Sequence, residues 1–103
     1  MLSINVQELQ QKINDREDIL LIDVREPWEN ELYSIGGTLI PLGSLFENIH
    51  QVDQQKTVVI YCQKGIRSQI AIQRLQQKFN YNNLVNLSGG MDAWKKAGLP
   101  AKG

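Results

Sequence analysis

Two continuous apolar runs, "DILLIDV" and "KTVVIYC", constrain the fold of this chain more than any other feature. Each has the length of a strand and lacks the alternation of a strand with one wet face, so each predicts a strand covered on both sides. Shorter runs in "GGTLIPL" and "LVNL" predict two further strands. Helical patterns separate these runs, and strands that alternate with helices predict a parallel sheet covered on both faces.

The helical segments carry start signals. Asn5 with Glu8 three residues later predicts a capping box, and Pro27 suits the first turn of the helix after "DILLIDV". Ser44 is the predicted N-cap of a short helix in "GSLFENIHQV", and Ser88 is the predicted N-cap of the last helix, in "SGGMDAWKKAGLP". The chain therefore predicts helices that begin at defined residues.

The longest predicted helix is "RSQIAIQRLQQKFN". Its apolar spacing predicts one core-facing side, formed by Ile66, Ile70, Leu75 and Phe79. Asn80 can adopt the left-handed conformation that ends a helix, and Gly98 with Pro100 predicts the end of the last helix. These signals complete an alternating α/β pattern.

Composition limits the class of protein. The length of 103 residues suits a single domain, which we expect to span 1–103. A formal net charge of zero argues against a dedicated nucleic-acid or membrane-surface binder. A single cysteine cannot form an internal disulfide, and the start "MLSINVQELQ" lacks the pattern of a signal peptide. We therefore expect a protein of the reducing cytoplasm, with no nucleic acid or membrane as partner.

That single cysteine, Cys62, lies where the "TVVIY" strand ends and a helix begins. Ligands of parallel sheets bind at the carboxyl ends of the strands. Gly65 permits a positive φ in the turn, so backbone N–H groups can point inward as an anion-binding nest. The helix start, Lys64 and Arg67 add positive charge, and each favours the thiolate. The pattern therefore predicts a reactive cysteine.

Other readings of these residues are weaker. A lone cysteine at a strand end is more often a buried structural thiol, and only its neighbours reverse that judgement. His50 is the single histidine and fits a surface or half-buried position better than a catalytic base. The loop "CQKGIRS" lacks the second glycine and the G-K-[ST] ending of a Walker loop. One cysteine and one histidine offer no metal-ligand spacing, so we expect neither a metal nor a cofactor.

Four motifs in order, "LIDVREPWE", "GGTLIPLGSL", "VVIYCQKGIRS" and "NLSGGMDAWKKAGLP", resemble the rhodanese domain of sulfurtransferases from about Ser3 to Pro100. The resemblance implies a three-layer α/β/α rhodanese-like fold with a central five-stranded parallel sheet. It implies that Cys62 is the sulfur-carrying nucleophile and that Asp23 and Arg25 support the active loop. The residues that it implies for substrate binding are Gln63, Lys64, Gly65, Ile66, Arg67 and Ser68.

The length of the active loop separates sulfur chemistry from phosphate chemistry within this resemblance. The loop from Cys62 to Arg67 has six residues. That length is similar to rhodanese-like domains that handle sulfane sulfur, whereas relatives that act on phosphate or arsenate have one residue more. The resemblance therefore implies a thiosulfate sulfurtransferase that moves sulfur from thiosulfate to cyanide or thiols through a Cys62 persulfide, with Lys64 and Arg67 orienting the sulfonate.

One departure leaves an alternative open. Ser34 stands where many members of the family carry a histidine, and "GGTLIPL" is similar to rhodanese domains fused to enzymes that activate ubiquitin-like proteins. This similarity implies an alternative, a sulfur-carrier module loaded by a partner enzyme, with little activity on free thiosulfate. Glu29 is interpreted as a helix-start charge and Trp94 as core or pocket rim. For Trp28, a rim position and a buried face are both open.

Overall fold

The computed structural model describes residues 1–102; Gly103, the last residue of the predicted domain, lies outside the described residues. The strands are β1 (Leu2–Ile4), β2 (Ile19–Asp23), β3 (Thr38–Leu39), β4 (Thr57–Tyr61) and β5 (Leu84–Leu87). The α-helices are α1 (Val6–Asn14), α2 (Pro27–Leu32), α3 (Ile66–Phe79) and α4 (Gly90–Lys96), and two 3₁₀ segments cover Leu42–Ser44 and Phe46–Gln51. Across residues 1–102, no helix is both long and apolar enough to cross a bilayer.

The five strands form one parallel sheet in the order β1-β5-β4-β2-β3. Strand β4 lies at the centre and pairs along its whole length with β2, so that Ile60 lies beside Ile22. Successive side chains of β4 point to opposite faces of the sheet. Val58 and Ile60 belong to one buried cluster, whereas Val59 and Tyr61 belong to the other.

Helices cover both of these faces. Ala71, Ile72 and Leu75 of α3 belong to the same cluster as Val58 and Ile60. On the other face, Leu9 of α1 and Trp94 of α4 belong to the cluster of Val59 and Tyr61. The three-layer α/β/α fold with a five-stranded parallel sheet is therefore confirmed. Trp94 is a core residue, 1% exposed.

Several local predictions are confirmed. The Asn5 side chain accepts a hydrogen bond from the Glu8 N–H at 2.8 Å, and the Glu8 carboxylate accepts one from the Asn5 N–H at 3.1 Å. Pro27 opens α2, and Asn80 ends α3 with a φ of +56°. These signals succeed because each depends on residues within one turn of the helix end.

Two predicted helix caps are wrong. Ser44 does not begin an α-helix but closes the first 3₁₀ segment, because the Asn48 side-chain amide donates to the Ser44 carbonyl that a helical N–H would otherwise bind. Ser88 donates its N–H to the Ile4 carbonyl at 2.9 Å, which extends the pairing of β5 with β1. Gly89, with a φ of +77°, takes the position before α4 instead.

The predicted core side of the longest helix is wrong at Ile66, which is 63% exposed. The buried residues of α3 are Ser68, Ala71, Ile72 and Leu75. These positions follow the spacing i, i+3, i+4 and i+7 and therefore lie on one face. Ile66 lies two residues before the first of them, and two residues turn a helix by more than half a circle. Ile66 is therefore placed at the surface, beside the active loop.

Candidate active site

The predicted loop lies at the carboxyl end of β4 and wraps around the Cys62 sulfur. Gly65 has a φ of +88° and reverses the chain, so that α3 begins at the next residue. The N–H of Gly65 lies 3.1 Å from the Cys62 Sγ, and the N–H of Ser68 lies 3.3 Å from it. Cys62 itself is 1% exposed. The sulfur therefore lies at the bottom of the loop, facing backbone donors that stabilise negative charge.

A buried polar chain continues from the sulfur to the neighbouring strand. The Ser68 Oγ lies 3.4 Å from the Cys62 Sγ, and the Ser68 hydroxyl donates to the Asn86 Oδ1 at 2.5 Å. Asn86 lies on β5 and is 3% exposed. Sequence reasoning missed Asn86, although it is the single polar residue in the strand "LVNL". A polar side chain inside a strand buried on both faces needs a partner, and that need is the signal that could have identified it.

Helix α4 holds the other side of the loop. The N–H groups of Met91 and Asp92 donate to the carbonyls of Cys62 and Gln63, each at 2.9 Å. Gly90 has a φ of +56°, and a Cβ at this position would collide with the Cys62 carbonyl oxygen. The chain can therefore approach the loop this closely only because residue 90 has no side chain.

Asp23 and Arg25 lie together at the carboxyl end of β2, and both are buried. The Arg25 guanidinium donates to both Asp23 carboxylate oxygens and to the Tyr33 carbonyl. Its Nη1 also donates to the Gln63 side-chain oxygen at 2.9 Å. The Gln63 amide in turn donates to Asp92 at 2.6 Å. Arg25 therefore connects β2, the residues after α2, and the active loop.

Arg67 forms an ion pair with Glu29, a contact that the sequence did not suggest. Its two terminal nitrogens contact the two carboxylate oxygens of Glu29 at 2.7 and 2.8 Å. Glu29 also accepts the N–H of Glu26 at 3.1 Å, in the first turn of α2. The hydrogen bonds from Arg67 are the main reason that the pKa of Glu29 falls to about 2. Glu29 is a helix-start charge, as interpreted, but it is also the partner of Arg67.

Two neighbouring cavities open beside the loop. The inner cavity, of about 430 Å³, is lined by Glu29, Cys62, Gln63, Lys64, Ile66 and Arg67. The outer cavity, of about 410 Å³, is lined by Arg25, Trp28, Glu29, Leu32, Tyr33, Gln63 and Lys95. Glu29 and Gln63 belong to both walls, so the two cavities are adjacent. Trp28 is 63% exposed and is therefore a rim residue.

The structure thus brings most of the predicted site residues together. Gly65 and Ser68 direct their N–H groups at the sulfur, and Lys64 and Ile66 are exposed at the mouth. Asp23 lies behind Arg25 and lines neither cavity within the described part of the chain. His50 is exposed in the second 3₁₀ segment, as predicted, and also lies outside both cavity walls. Within the described residues, the arrangement provides one thiol that faces backbone N–H groups, with no imidazole in either cavity wall.

Comparisons with known proteins show what the whole chain is similar to. The model of the rhodanese-like domain matches residues 5–97. A protein named sulfurtransferase from Allochromatium vinosum is 37% identical over 94% of this chain and 91% of its own length. The probable adenylyltransferase/sulfurtransferase MoeZ of Mycobacterium tuberculosis is 33% identical over 95% of this chain, which spans only 26% of MoeZ. The crystal structure of a rhodanese-related protein from Thermoplasma volcanium superposes with a TM-score of 0.86, at 31% identity, over 98% of this chain and 97% of its own. The chain therefore belongs to the family of rhodanese-like domains.

Proposed function

We propose that this chain is a sulfurtransferase that carries sulfane sulfur as a persulfide on Cys62. The observation that carries the proposal is the position of the sulfur, at the bottom of a cavity and facing the N–H groups of Gly65 and Ser68. A negative charge on sulfur is favoured by such donors and by the start of α3. In a persulfide on Cys62 the charge lies one sulfur atom further out, in the cavity that Cys62 lines.

The proposed reaction has two half-reactions. The Cys62 thiolate attacks the outer sulfur of thiosulfate; a new S–S bond forms, the S–S bond of thiosulfate breaks, and sulfite leaves with the electron pair. Cyanide or a thiolate then attacks the outer sulfur of the Cys62 persulfide and releases the Cys62 thiolate. No external oxidant or reductant is consumed. Such covalent catalysis gives ping-pong kinetics.

The other residues of the site have supporting roles in this proposal. Gln63, Lys64 and Ile66 form the wall that meets the substrate, because all three line the inner cavity. Asp23 and Arg25 support the loop through Gln63. Lys64 is the exposed cation that can meet an anionic donor, whereas Arg67 meets one only in company with Glu29.

A second function, a sulfur-relay module loaded by a partner protein, is favoured by a different observation. Three large apolar side chains around the cavities are exposed, namely Trp28 at 63%, Leu32 at 66% and Ile66 at 63%. Exposed apolar patches beside a reactive group are typical of surfaces that meet another protein. In this case the donor is a protein persulfide, and free thiosulfate is a poor substrate.

The test is the intact mass of the protein after incubation with a sulfur donor and removal of the excess. We expect wild-type protein to gain the mass of one sulfur atom from thiosulfate and to lose it on addition of cyanide. The Cys62→Ser variant, which keeps the size of the side chain, is the control and is expected to gain nothing. Equal gain in this variant, or no gain in wild type from any donor, would contradict the proposal.

The same measurement separates the two functions when a cysteine desulfurase and its substrate replace thiosulfate. Much faster loading by the desulfurase favours the relay module. Efficient turnover of thiosulfate and cyanide with negligible loading by the desulfurase favours the free-standing sulfurtransferase.

A further inference from the structure

The Glu29–Arg67 pair changes the charge that a sulfur donor meets. The contact is bidentate, with both carboxylate oxygens within 2.8 Å of guanidinium nitrogens. Such fork-to-fork pairs are among the strongest charge-assisted hydrogen bonds. The Glu29 side chain is 10% exposed and the Arg67 side chain is 34% exposed, so solvent screens the acidic partner poorly. A donor in the inner cavity therefore meets a neutralised arginine.

Glu29 is also held in place independently of Arg67. Its Oε1 accepts the N–H of Glu26 at 3.1 Å, and Pro27 fixes the backbone at the start of the same helix. A carboxylate attached to a helix start in this way gains from the helix dipole. An anionic donor that binds Arg67 therefore shares the guanidinium with the Glu29 carboxylate, which the helix start holds in position.

The other charges of the inner cavity do not make up for the neutralised charge of Arg67. The inner cavity is lined by Glu29 and by Cys62, which carries a negative charge in the proposed reaction, and by the cations of Arg67 and Lys64. Lys64 is exposed, so solvent and salt screen its charge. Thiosulfate brings two negative charges into this cavity. An organic persulfide is attacked at its outer sulfur in the protonated form, R–S–SH, and this form brings no charge at its reacting end.

We propose that Glu29 determines donor specificity: by neutralising Arg67 it disfavours dianionic thiosulfate and favours organic persulfides. The inference rests on the proposed sulfur transfer through Cys62. The favoured step is attack of the Cys62 thiolate on the outer sulfur of R–S–SH. A new S–S bond forms, the donor S–S bond breaks, and the thiolate R–S⁻ leaves with the electron pair.

The test compares two donors in wild type and in Glu29→Gln. The first donor is thiosulfate and the second is the persulfide of the uncharged thiol N-acetylcysteine methyl ester; cyanide is the acceptor for both. We expect wild type to have the higher kcat/KM with the persulfide. In Glu29→Gln we expect kcat/KM for thiosulfate to rise by about tenfold, the size expected for removal of one partly screened like charge. The value for the persulfide is expected to stay within about twofold.

Two further variants keep the test sharp. Glu31→Gln makes the same change of charge on the same helix, at an exposed position that lines neither cavity in the described part of the chain. We expect kcat/KM for both donors to be the same in this variant as in wild type. Arg67→Gln leaves the Glu29 charge uncompensated. We expect this variant to have a lower kcat/KM for thiosulfate than wild type. Added salt is expected to reduce both differences.

The outcomes separate this inference from the function on which it rests. If Cys62 is loaded but Glu29→Gln leaves kcat/KM for thiosulfate unchanged or lower, Glu29 serves to position Arg67 for the donor and the inference is overturned. A rise of kcat/KM for thiosulfate in Glu31→Gln that equals the rise in Glu29→Gln would also overturn it, since the effect would then belong to net charge. If no donor loads Cys62 in wild type, the proposed function fails and the inference fails with it.

Discussion

The Glu29 carboxylate serves a helix and a loop at once. It accepts a hydrogen bond from the N–H of Glu26 at the start of α2, and one from each terminal nitrogen of Arg67 at the start of α3. Both sets of hydrogen bonds favour the ionised form, and the contact with Arg67 is the larger cause of the lowered pKa. A single side chain therefore couples two segments that are 38 residues apart in sequence.

This coupling predicts a pH dependence of stability. The pKa of Glu29 is lowered from 4.5 to about 2, so its stabilising contribution is complete above pH 4.5 and is lost as the pH falls toward 2. We expect Glu29→Gln to lower the free energy of unfolding at pH 7 by about 1–2 kcal/mol, less than the full shift implies because Arg67 is partly exposed. Urea unfolding from pH 7 to pH 3 should show the difference from wild type shrinking below pH 4.5. A difference independent of pH would contradict this, and Glu31→Gln is the control.

Helix α4 contributes to the site without contacting the sulfur. Its first N–H groups bind the carbonyls of Cys62 and Gln63, and its close approach depends on the missing side chain of Gly90. Because these carbonyls are held on the side of α4, the loop cannot turn without breaking bonds to that helix. The position of the helix and the conformation of the loop are therefore linked.

Gly90→Ala tests this link, with Gly98→Ala as a matched control. Both glycines have a positive φ, +56° and +70°, but a Cβ on Gly98 meets no atom within 4 Å. We expect Gly98→Ala to cost about 1 kcal/mol of stability from backbone strain and to leave Cys62 loading unchanged. Gly90→Ala is expected to cost more and to slow loading, because the new methyl group displaces the Cys62 carbonyl. Urea unfolding and the rate of mass gain measure the two effects; equal behaviour of the variants would exclude the proposed link.

The sheet as a whole brings the site together from distant parts of the chain. Strands β2, β4 and β5 are neighbours in the sheet. At their carboxyl ends lie Asp23 and Arg25 from β2 and the residues after it, Cys62 directly after β4, and Asn86 near the end of β5. Parallel strands place their carboxyl ends side by side, and this edge is where ligands of such sheets bind. Arg25 is 1% exposed and Asp23 is fully buried, and they form an ion pair at these strand ends. Arg25 connects this pair to the loop through its hydrogen bond to Gln63.

Removal of both partners of this pair should cost less stability than the two single removals added together. We expect Arg25→Met to lower the free energy of unfolding by about 3–5 kcal/mol, because it leaves the Asp23 charge buried and uncompensated. Asp23→Leu combined with Arg25→Met is expected to cost less than the sum of the two single changes. Urea unfolding of the four proteins in this cycle measures the coupling. Strict additivity would show that the two charges do not depend on each other.

Much of the fold could be predicted because its signals are local. Strands β2 and β4 were visible as continuous apolar runs, and the starts of α1 and α2 are signalled by Asn5 with Glu8 and by Pro27. Strand β1 was missed because it has three residues and leads directly into the cap of α1. Nothing in so short a segment separates a strand from an approach to a helix until β5 pairs with it.

From the spacing of residues alone, the site was predictable only in its centre. Cys62, Gly65 and the start of α3 follow one another in sequence, so their geometry could be anticipated. The Glu29–Arg67 contact joins residues 38 apart, and no spacing rule connects them. Asn86 was hidden for a related reason, since its partner Ser68 lies 18 residues earlier and on another element.

The order of the strands also determines which strands could pair with a strand of another molecule. Its two outer strands, β1 and β3, have three and two residues, whereas the three inner strands have four or five. Pro41 follows β3 closely and has no N–H to offer to an added strand. Short edges of this kind are poor templates for strand addition, which is the first step of edge-to-edge aggregation. The protein can therefore expose an apolar rim around its reactive cysteine while offering little edge on which misassembly could begin.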